Sequence, residues 1–472
     1  MSGKKSLLWF RQDLRLDDNP ALIAACEEGQ VVPIYILDDS NAGVHAMGSA
    51  SRVWLHHALH KLDEALNGCL NFFKGDPLQI IPKLISEQTI DGVYWNRCYE
   101  PWRVRRDTQL KKKLHQQGCL VNSFNGSLLW EPWEVFKKDG SPYRVFTPFY
   151  QRGCLALPPP RQPMSQPKDI ETCEVFGSVN LTDLKLLPVI PWDKPLVNHW
   201  DISDEGGKLL LDKFLKTKLD NYKEGRNFPA KKTVSRLSPY LHFGQLSPNQ
   251  VWFSAREKGV NDNTKVFCSE LGWREFSYYL LYHFPDLPQK NWNSKFDAFD
   301  WQPNDKRLHA WQKGLTGYPL VDAGMRELWQ TGFMHNRVRM VVASFLVKNC
   351  LIDWREGEKW FWNCLVDADL ASNSASWQWV AGCGADATPY FRIFNPVTQG
   401  EKFDPTGEYT KYFVPELANL PQKYLFNPCQ APQEFLDKAN VKLGQNYPRP
   451  LVDLRASREL ALSAYNAIKD KP

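Results

Sequence analysis

A chain of 472 residues is long enough for two or three domains with substantial cores. A formal net charge of +5 is compatible with a polyanionic partner without requiring one. The opening MSGKKSLLWFRQDLR holds too short an apolar stretch for a signal peptide, and no run approaches the roughly 18–20 apolar residues of a membrane span. The 11 cysteines are scattered, without CxxC pairs, so they read as reduced thiols of a cytoplasmic protein. Cys350, Cys364, Cys383 and Cys429 lack zinc-finger spacing, and no metal site is expected.

The N-terminal third alternates strand and helix patterns. Strands are predicted at 6–10, 31–37, 70–73, 92–95 and 120–124, and helices at 20–26, 52–66, 78–86 and 102–117. This alternation implies right-handed crossovers and a parallel sheet, a Rossmann-like α/β domain over residues 1–135. Such sheets bind ligands beyond the carboxyl ends of their strands, yet no GxGxxG or Walker sequence signals NAD or ATP. Residues 136–204 read as a linker, because LPPPRQPMSQP at 157–167 can hold neither a helix nor a central strand. From 205 to 472 helical periodicity dominates, which predicts a larger all-helical domain.

The most informative stretch runs from Phe333 to Pro396. Asn336, Arg339 and Met340 share one helix face, and Val341, Val342, Phe345 and Leu346 would sink that helix into a core. A buried Arg339 requires an anionic partner, for which Asp367 and Asp369 are candidates. Taken alone this is a structural ion pair. Tryptophans at 354, 360, 362, 377 and 379, within a total of 19, instead suggest a pocket for a large, flat, polar molecule.

Several segments occur in a characteristic order: LLWFRQDLRLDDNPAL at the start, YRVFTPF (143–149), SRLSPYLHFGQLS (235–247), ELGWREF (270–276), TGYPLVDAGMREL (316–328), MHNRVRM (334–340), DADLASN (367–373) and SWQWVAG (376–382). Over nearly its whole length the chain resembles the DNA photolyase/cryptochrome family. The resemblance implies FAD in the helical domain and light-driven electron transfer to pyrimidine dimers in DNA. It assigns the flavin to Tyr222, Val234, Ser235, Arg236, Leu237, Ser238, Phe267, Glu270, Arg274, Asn336, Arg339, Asp367, Asp369 and Asn373. Chemically, the serine-rich SRLS segment at a helix start suits a pyrophosphate, and Arg339 paired with Asp367 suits the flavin ring.

Asn373 matches the position facing flavin N5, where repairing members of the family usually carry Asn and plant-type cryptochromes Asp. Trp377, Trp354 and Trp301 match the family's electron-transfer chain. Glu270, Asn336 and Met340, with Asn373, match the catalytic set for cyclobutane dimers. Members that repair (6-4) photoproducts carry His where this chain has Asn336 and Met340, and neither side chain here is a general acid. Arg226, Arg337 and Arg392 are expected on DNA phosphates, and Trp273 and Trp379 as apolar walls for an extruded dimer.

The family's second chromophore would lie along WNRCYEPWRVRRD (95–107), with Trp95, Asn96, Tyr99, Glu100 and Trp102 as candidates. Trp102 and Arg103 replace the Asn and Glu that hold folate in one bacterial subgroup, whereas SFNGSLLWEP (123–132) resembles a class III subgroup that binds methenyltetrahydrofolate. A folate is favoured, with 8-hydroxy-5-deazaflavin or a flavin left open. The expectation is a monomeric repair enzyme acting on dimer-containing DNA and not on membranes. The alternative is a cryptochrome-type photoreceptor, which the absence of a long C-terminal extension disfavours.

Overall fold

The computed structural model describes residues 4–387 and 391–469. They form two compact units. The first comprises the chain up to Thr217 together with Ser235–Pro285 and Val366–Ala371, and the second comprises Lys218–Val234, Asp286–Leu365 and the chain from Ser372 onward. Residues 136–204 and Ser235–Pro285 thus cluster in one unit with the sheet.

The first unit is built on five parallel strands, β1 (Lys4–Phe10), β2 (Gly29–Leu37), β3 (Asn71–Lys74), β4 (Gly92–Asn96) and β5 (Leu120–Phe124), in the order β3-β2-β1-β4-β5. Helices α1 (Pro20–Glu28), α2 (Ser49–Ala65), α3 (Pro77–Gln88) and α4 (Pro101–Gln116) fall between them. Asn19 and Asp76 cap α1 and α3 by accepting from Leu22 and Leu78 backbone N–H, each followed by a proline suited to a helix start. Leu7, Trp9, Val32, Ile34, Val93 and Trp95 bury the strands as apolar runs, as parallel strands covered on both faces require.

Strand order reverses between β1 and β4, where open parallel sheets usually bind a ligand. Here that crevice is filled by the chain itself. Arg11 pairs with Asp107 at 2.5 Å and donates to the Asn96 carbonyl, while the Asn96 amide donates to Asp13 and Asn19 at 2.6 and 2.7 Å. The filled crevice gives a physical reason for the missing nucleotide motif.

The proline-rich connector is stitched to the sheet. Val31 donates its N–H to the Glu171 carbonyl at 2.7 Å, Cys173 donates to the Val31 carbonyl at 3.0 Å, and Val179 donates to the Phe72 carbonyl at 2.9 Å. These bonds satisfy backbone groups along the β2 and β3 side that would otherwise be an open edge. Further on, Gly244 adopts φ +69°, and a Cβ there would lie 2.1 Å from the Gln12 carbonyl oxygen, so glycine is required at this approach.

The second unit is helical, with principal helices at Pro319–Thr331, Asn336–Ser344, Trp354–Cys364 and Leu454–Lys469. The Asn336–Ser344 helix runs into a π-helical turn at Phe345–Asn349, and Val341, Val342, Phe345 and Leu346 are completely buried, as their periodicity predicts. Among the described residues, no helix is long and apolar enough to cross a membrane, and no group of three or more His, Cys, Asp or Glu is arranged to hold a metal ion.

Candidate functional site

In the first unit, the Asp262–His283 helix carries Phe267, Glu270, Trp273 and Arg274 at spacings of three and four, so they project from neighbouring positions. Asn261 caps this helix through Thr264 N–H. Phe267 is buried against Phe214, ring centroids 4.7 Å apart. Trp273 is half-buried and stacks on Phe146 at 3.8 Å. Arg274 donates to the Ser127 carbonyl at 2.8 Å and pairs with Glu275 at 3.1 Å, which ties the helix to the 127–130 segment. Glu270 is half-buried.

The serine-rich turn precedes a helix of only five residues, Ser238–His242, with Leu237 buried at its N-cap. Ser235 and Arg236 therefore lie just before the helix, and Ser238 is its first residue. Arg236 is left-handed, at φ +59°, a conformation that a non-glycine residue adopts only when its surroundings hold it. Its guanidinium lies over the Trp200 ring at 4.4 Å and 2.5 Å from His199 Nε2. Ser238 donates its hydroxyl to Asp367 Oδ2 at 2.6 Å. Asp369 accepts from the Tyr278 hydroxyl at 2.5 Å, and its Oδ2 lies 3.7 Å from His242 Nδ1. Asp367 and Asp369 are both buried, as the sequence suggested.

The second unit holds the other flavin, DNA and electron-transfer candidates. Tyr222 is buried beneath the Arg226 guanidinium, 5.6 Å from its ring centroid. Val234 is half-buried, next to Thr233, whose buried hydroxyl has no hydrogen-bond partner among the described residues. Arg339 is half-buried and donates to the Met334 carbonyl at 2.7 Å. Arg337 donates to Asn227 Oδ1 at 2.5 Å and covers the Phe403 ring at 4.4 Å. Burial, and then the charges of Arg226 and Arg392, push the Arg337 guanidinium pKa below its ordinary value. Asn336 is exposed, and Met340 is half-buried with its sulfur 3.8 Å from Arg337 Nη1. Arg392 is exposed, over the Phe394 ring at 5.2 Å, and Trp379 is half-buried.

Asn373, on the Leu370–Ala381 helix, is buried and donates its amide to the Glu358 carbonyl at 3.1 Å. Trp377 is buried edge-on to Phe361 at 4.9 Å and to Trp311 at 6.2 Å. Trp354 is fully buried and donates its indole N–H to Asn291 at 2.9 Å. Trp301 is half-buried beside Phe299 at 4.4 Å. The three tryptophans thus run from complete burial to partial exposure.

The candidates at 95–102 are placed differently from the expected cleft. Trp95 has no exposed surface and packs edge-on to Trp9 at 5.9 Å within the sheet core. Asn96 belongs to the buried network at β1 and β4. Tyr99 is buried and donates its hydroxyl to Glu131 at 2.8 Å, and Glu100 is buried 3.4 Å from Arg103. Only Trp102 is half-buried, under the guanidinium groups of Arg103 and Arg106 at 4.8 and 5.1 Å. An alternation of aromatic and polar residues at a strand end reads identically for a cleft wall and for an interior network, which is why the sequence misplaced Trp95 and Asn96.

Sequence reasoning also missed Tyr278, His335, Glu358 and Ser374. Tyr278 and Glu358 sit in ordinary-looking helical runs and carry no spacing signal. His335 stands one residue before Asn336, where a helix start was readable.

Residues 6–168 match the family model for DNA photolyase, and residues 267–467 match that for the FAD binding domain of DNA photolyase. The chain belongs to the DNA photolyase/cryptochrome family. It is similar to the deoxyribodipyrimidine photo-lyase of Agrobacterium fabrum, 50% identical over 98% of each chain. It is also similar to cryptochrome-2 of Arabidopsis thaliana, 36% identical over 99% of this chain and 79% of that one. Among solved structures, a bacterial class III photolyase from Agrobacterium tumefaciens superimposes with a TM-score of 0.95 at 48% identity, covering 100% of this chain and 99% of that one. The photolyase/cryptochrome fold, with its parallel-sheet domain and helical FAD-binding domain, is therefore the fold of this chain.

The donor set fits the flavin cofactor. Within the first unit, buried carboxylates at 367 and 369, an arginine held in a left-handed turn, and a buried His242 Nδ1 without a hydrogen-bond partner among the described residues suit a polar ligand better than a closed core.

Proposed function

We propose that this chain is a light-driven lyase that repairs cyclobutane pyrimidine dimers in DNA. The observation that carries the reading is Arg337. In a chain of this family, it is a half-buried guanidinium without a carboxylate partner among the described residues, next to Asn336 and Met340, neither of which is an acid. Such a group seeks phosphate, and its neighbours suit a lesion that needs no protonation.

Bound FAD would supply the light-driven electron, and dimer splitting is redox-neutral because that electron returns. Tyr222, the 234–238 turn, Phe267, Arg274, Arg339 and the two aspartates would bind and orient the cofactor. Asn373 would present a neutral amide to it, and Trp377, Trp354 and Trp301 would conduct electrons inward from the surface. Glu270 and Asn336 would hydrogen-bond the extruded dimer, with Met340, Trp273 and Trp379 as its walls. Arg226, Arg337 and Arg392 would hold the DNA backbone.

Residues 1–135 would act as the antenna domain, 136–204 as its connector and 205–472 as the catalytic domain. Methenyltetrahydrofolate is the favoured antenna, supported by the likeness to a class III photolyase. All 11 cysteines are free thiols, which supports a cytoplasmic protein, and it would act as a monomer. The test is illumination of the reduced, FAD-loaded protein with an oligonucleotide carrying one cyclobutane dimer. Dimer restoration in light but not in darkness is expected, and flavin reduction without restoration would favour a photoreceptor.

A further inference from the structure

Arg337 is held from two sides by one short segment of the second unit. On one side its guanidinium covers the Phe403 ring at 4.4 Å. On the other, the hold runs through the backbone. Tyr409, further along the segment, donates its hydroxyl to Glu327 Oε2 at 2.7 Å, and the same oxygen accepts from the His335 backbone N–H at 3.1 Å. His335 is the N-cap of the Asn336–Ser344 helix, and its Nδ1 accepts from the Arg337 backbone N–H at 3.2 Å. Asp404 fixes the segment itself, accepting from the backbone N–H groups of Tyr409 and Thr410 at 3.2 and 2.8 Å. The contacts close into a circuit from Phe403 through Tyr409, Glu327 and His335 back to Arg337.

Glu327, Tyr409 and Asp404 are buried, whereas Arg337 is half-buried and the adjacent Asn336 is exposed. Burial, and then the Glu327 charge, raise the Tyr409 hydroxyl pKa well above its ordinary value, so it remains a donor. A buried carboxylate is costly unless hydrogen-bonded, and here two donors converge on one of its oxygens. An apolar pair could fill the same space. A carboxylate and a hydroxyl instead set a distance and a direction at the first residues of the helix, from which Arg337 reaches outward.

We propose that Glu327 and Tyr409 are positioning residues for DNA binding, which set the start of the Asn336–Ser344 helix so that the Arg337 guanidinium meets a backbone phosphate. This rests on the repair reading above and adds two buried residues that act through Arg337.

FAD-loaded wild type, Tyr409→Phe, Arg337→Gln and the double variant are titrated with a duplex carrying one cyclobutane dimer. Tyr409→Phe removes only the hydroxyl, and it should weaken binding about fivefold, the scale of a residue one step removed from the ligand. In the Arg337→Gln background the same change should do nothing further, because its effect passes through Arg337. Glu327→Gln can place its amide oxygen where Oε2 lies and keep both hydrogen bonds, so it should bind DNA as wild type does. Glu327→Ala should behave like Tyr409→Phe. FAD content should be equal throughout.

Unchanged affinity in folded Tyr409→Phe, additive losses in the double variant, loss of FAD, or a Glu327→Gln no better than Glu327→Ala would each overturn the proposal and leave the pair a purely structural role. If Tyr409→Phe does not fold, Glu327→Ala takes its place in the cycle, and failure of both to fold overturns the proposal as additivity does. The repair reading fails separately: a wild type that binds damaged and undamaged duplex equally would sink it, and the coupling between Tyr409 and Arg337 is then still read on undamaged DNA.

Discussion

Ser374 donates its hydroxyl to a carboxyl oxygen of Glu358 at 2.5 Å, while the adjacent Asn373 donates its amide to the backbone carbonyl of the same glutamate. One residue of the Trp354–Cys364 helix thus fixes two successive side chains of the helix that carries the proposed N5-facing amide. Burial raises the Glu358 carboxyl to about 7 from its ordinary 4.5, with the Ser374 hydrogen bond opposing the shift. A raised carboxyl favours the folded state below pH 4.5, and that contribution is lost as pH rises through about 7. Glu358→Gln retains an acceptor for Ser374 and should flatten stability across this window. Urea midpoints at pH 5 and pH 8 test this, and an unchanged difference between them would show that Glu358 does not titrate with folding.

Asn373→Asp replaces an amide donor with a group that, when ionised, donates nothing. The Glu358 carbonyl then loses its partner, at a cost of about 1–3 kcal/mol. FAD content should survive while repair yield and the urea midpoint both fall. A variant of wild-type stability would place Asn373 outside the interaction seen here.

Lys348 lies in the π-helical turn with its ammonium 2.5 Å from the Arg392 carbonyl and 4.6 Å from the Phe391 ring centroid. Burial lowers its pKa to about 7. A depressed lysine contributes stability that is present above its unfolded value near 10.5 and is lost as pH falls through about 7. Lys348→Met should therefore be more stable than wild type at pH 6, with the gain shrinking steadily toward pH 10. The readout is the denaturation midpoint of both proteins over that range.

Gly357 faces the Trp377 ring so closely that a Cβ would lie 2.1 Å from it. Gly357→Ala must displace Trp377, although alanine is the better helix former. Both Gly357→Ala and Trp377→Phe should slow photoreduction of oxidised FAD while sparing repair by protein already chemically reduced. Flash photolysis on the oxidised form and single-turnover repair on the reduced form separate these effects. A collapse of both would give Trp377 a second role.

The strands and helices of residues 4–124 were legible because buried parallel strands are continuous apolar runs and because Asn19-Pro20 and Asp76-Pro77 mark helix starts. The connector was legible only as irregular chain. Its bonds to Val31 and Phe72 come from single residues, and isolated bridges leave no period in a sequence. The burial of Asp367, Asp369, Asn373, Trp354 and Trp377 followed from polar and aromatic residues recurring among apolar neighbours. His335 and Glu358 escaped because their environments are set by residues distant in sequence: Arg226 lies 109 positions before His335, and Ser374 lies 16 after Glu358. Trp95 was misplaced because an aromatic residue at a strand end fits a core as well as a ligand.

The choice of lesion is the sharpest remaining prediction. Repair of a (6-4) photoproduct requires protonation of a lesion oxygen, hence a titratable group facing it. Asn336 is exposed and Met340 half-buried, and neither titrates. The nearby His335 is held neutral well below physiological pH and is no proton donor there. A cyclobutane ring needs only an electron and hydrogen bonds to its carbonyls, for which Glu270 is half-buried on the same helix as Trp273. Glu270→Ala should retain FAD but lower affinity for dimer-bearing DNA and repair yield, in line with the roughly 1.5–3 kcal/mol of a charge-assisted hydrogen bond. The assay illuminates the reduced protein with two oligonucleotides, one carrying each lesion. Restoration of the (6-4) product, or full activity in Glu270→Ala, would show that the pocket recognises its lesion by a different chemistry.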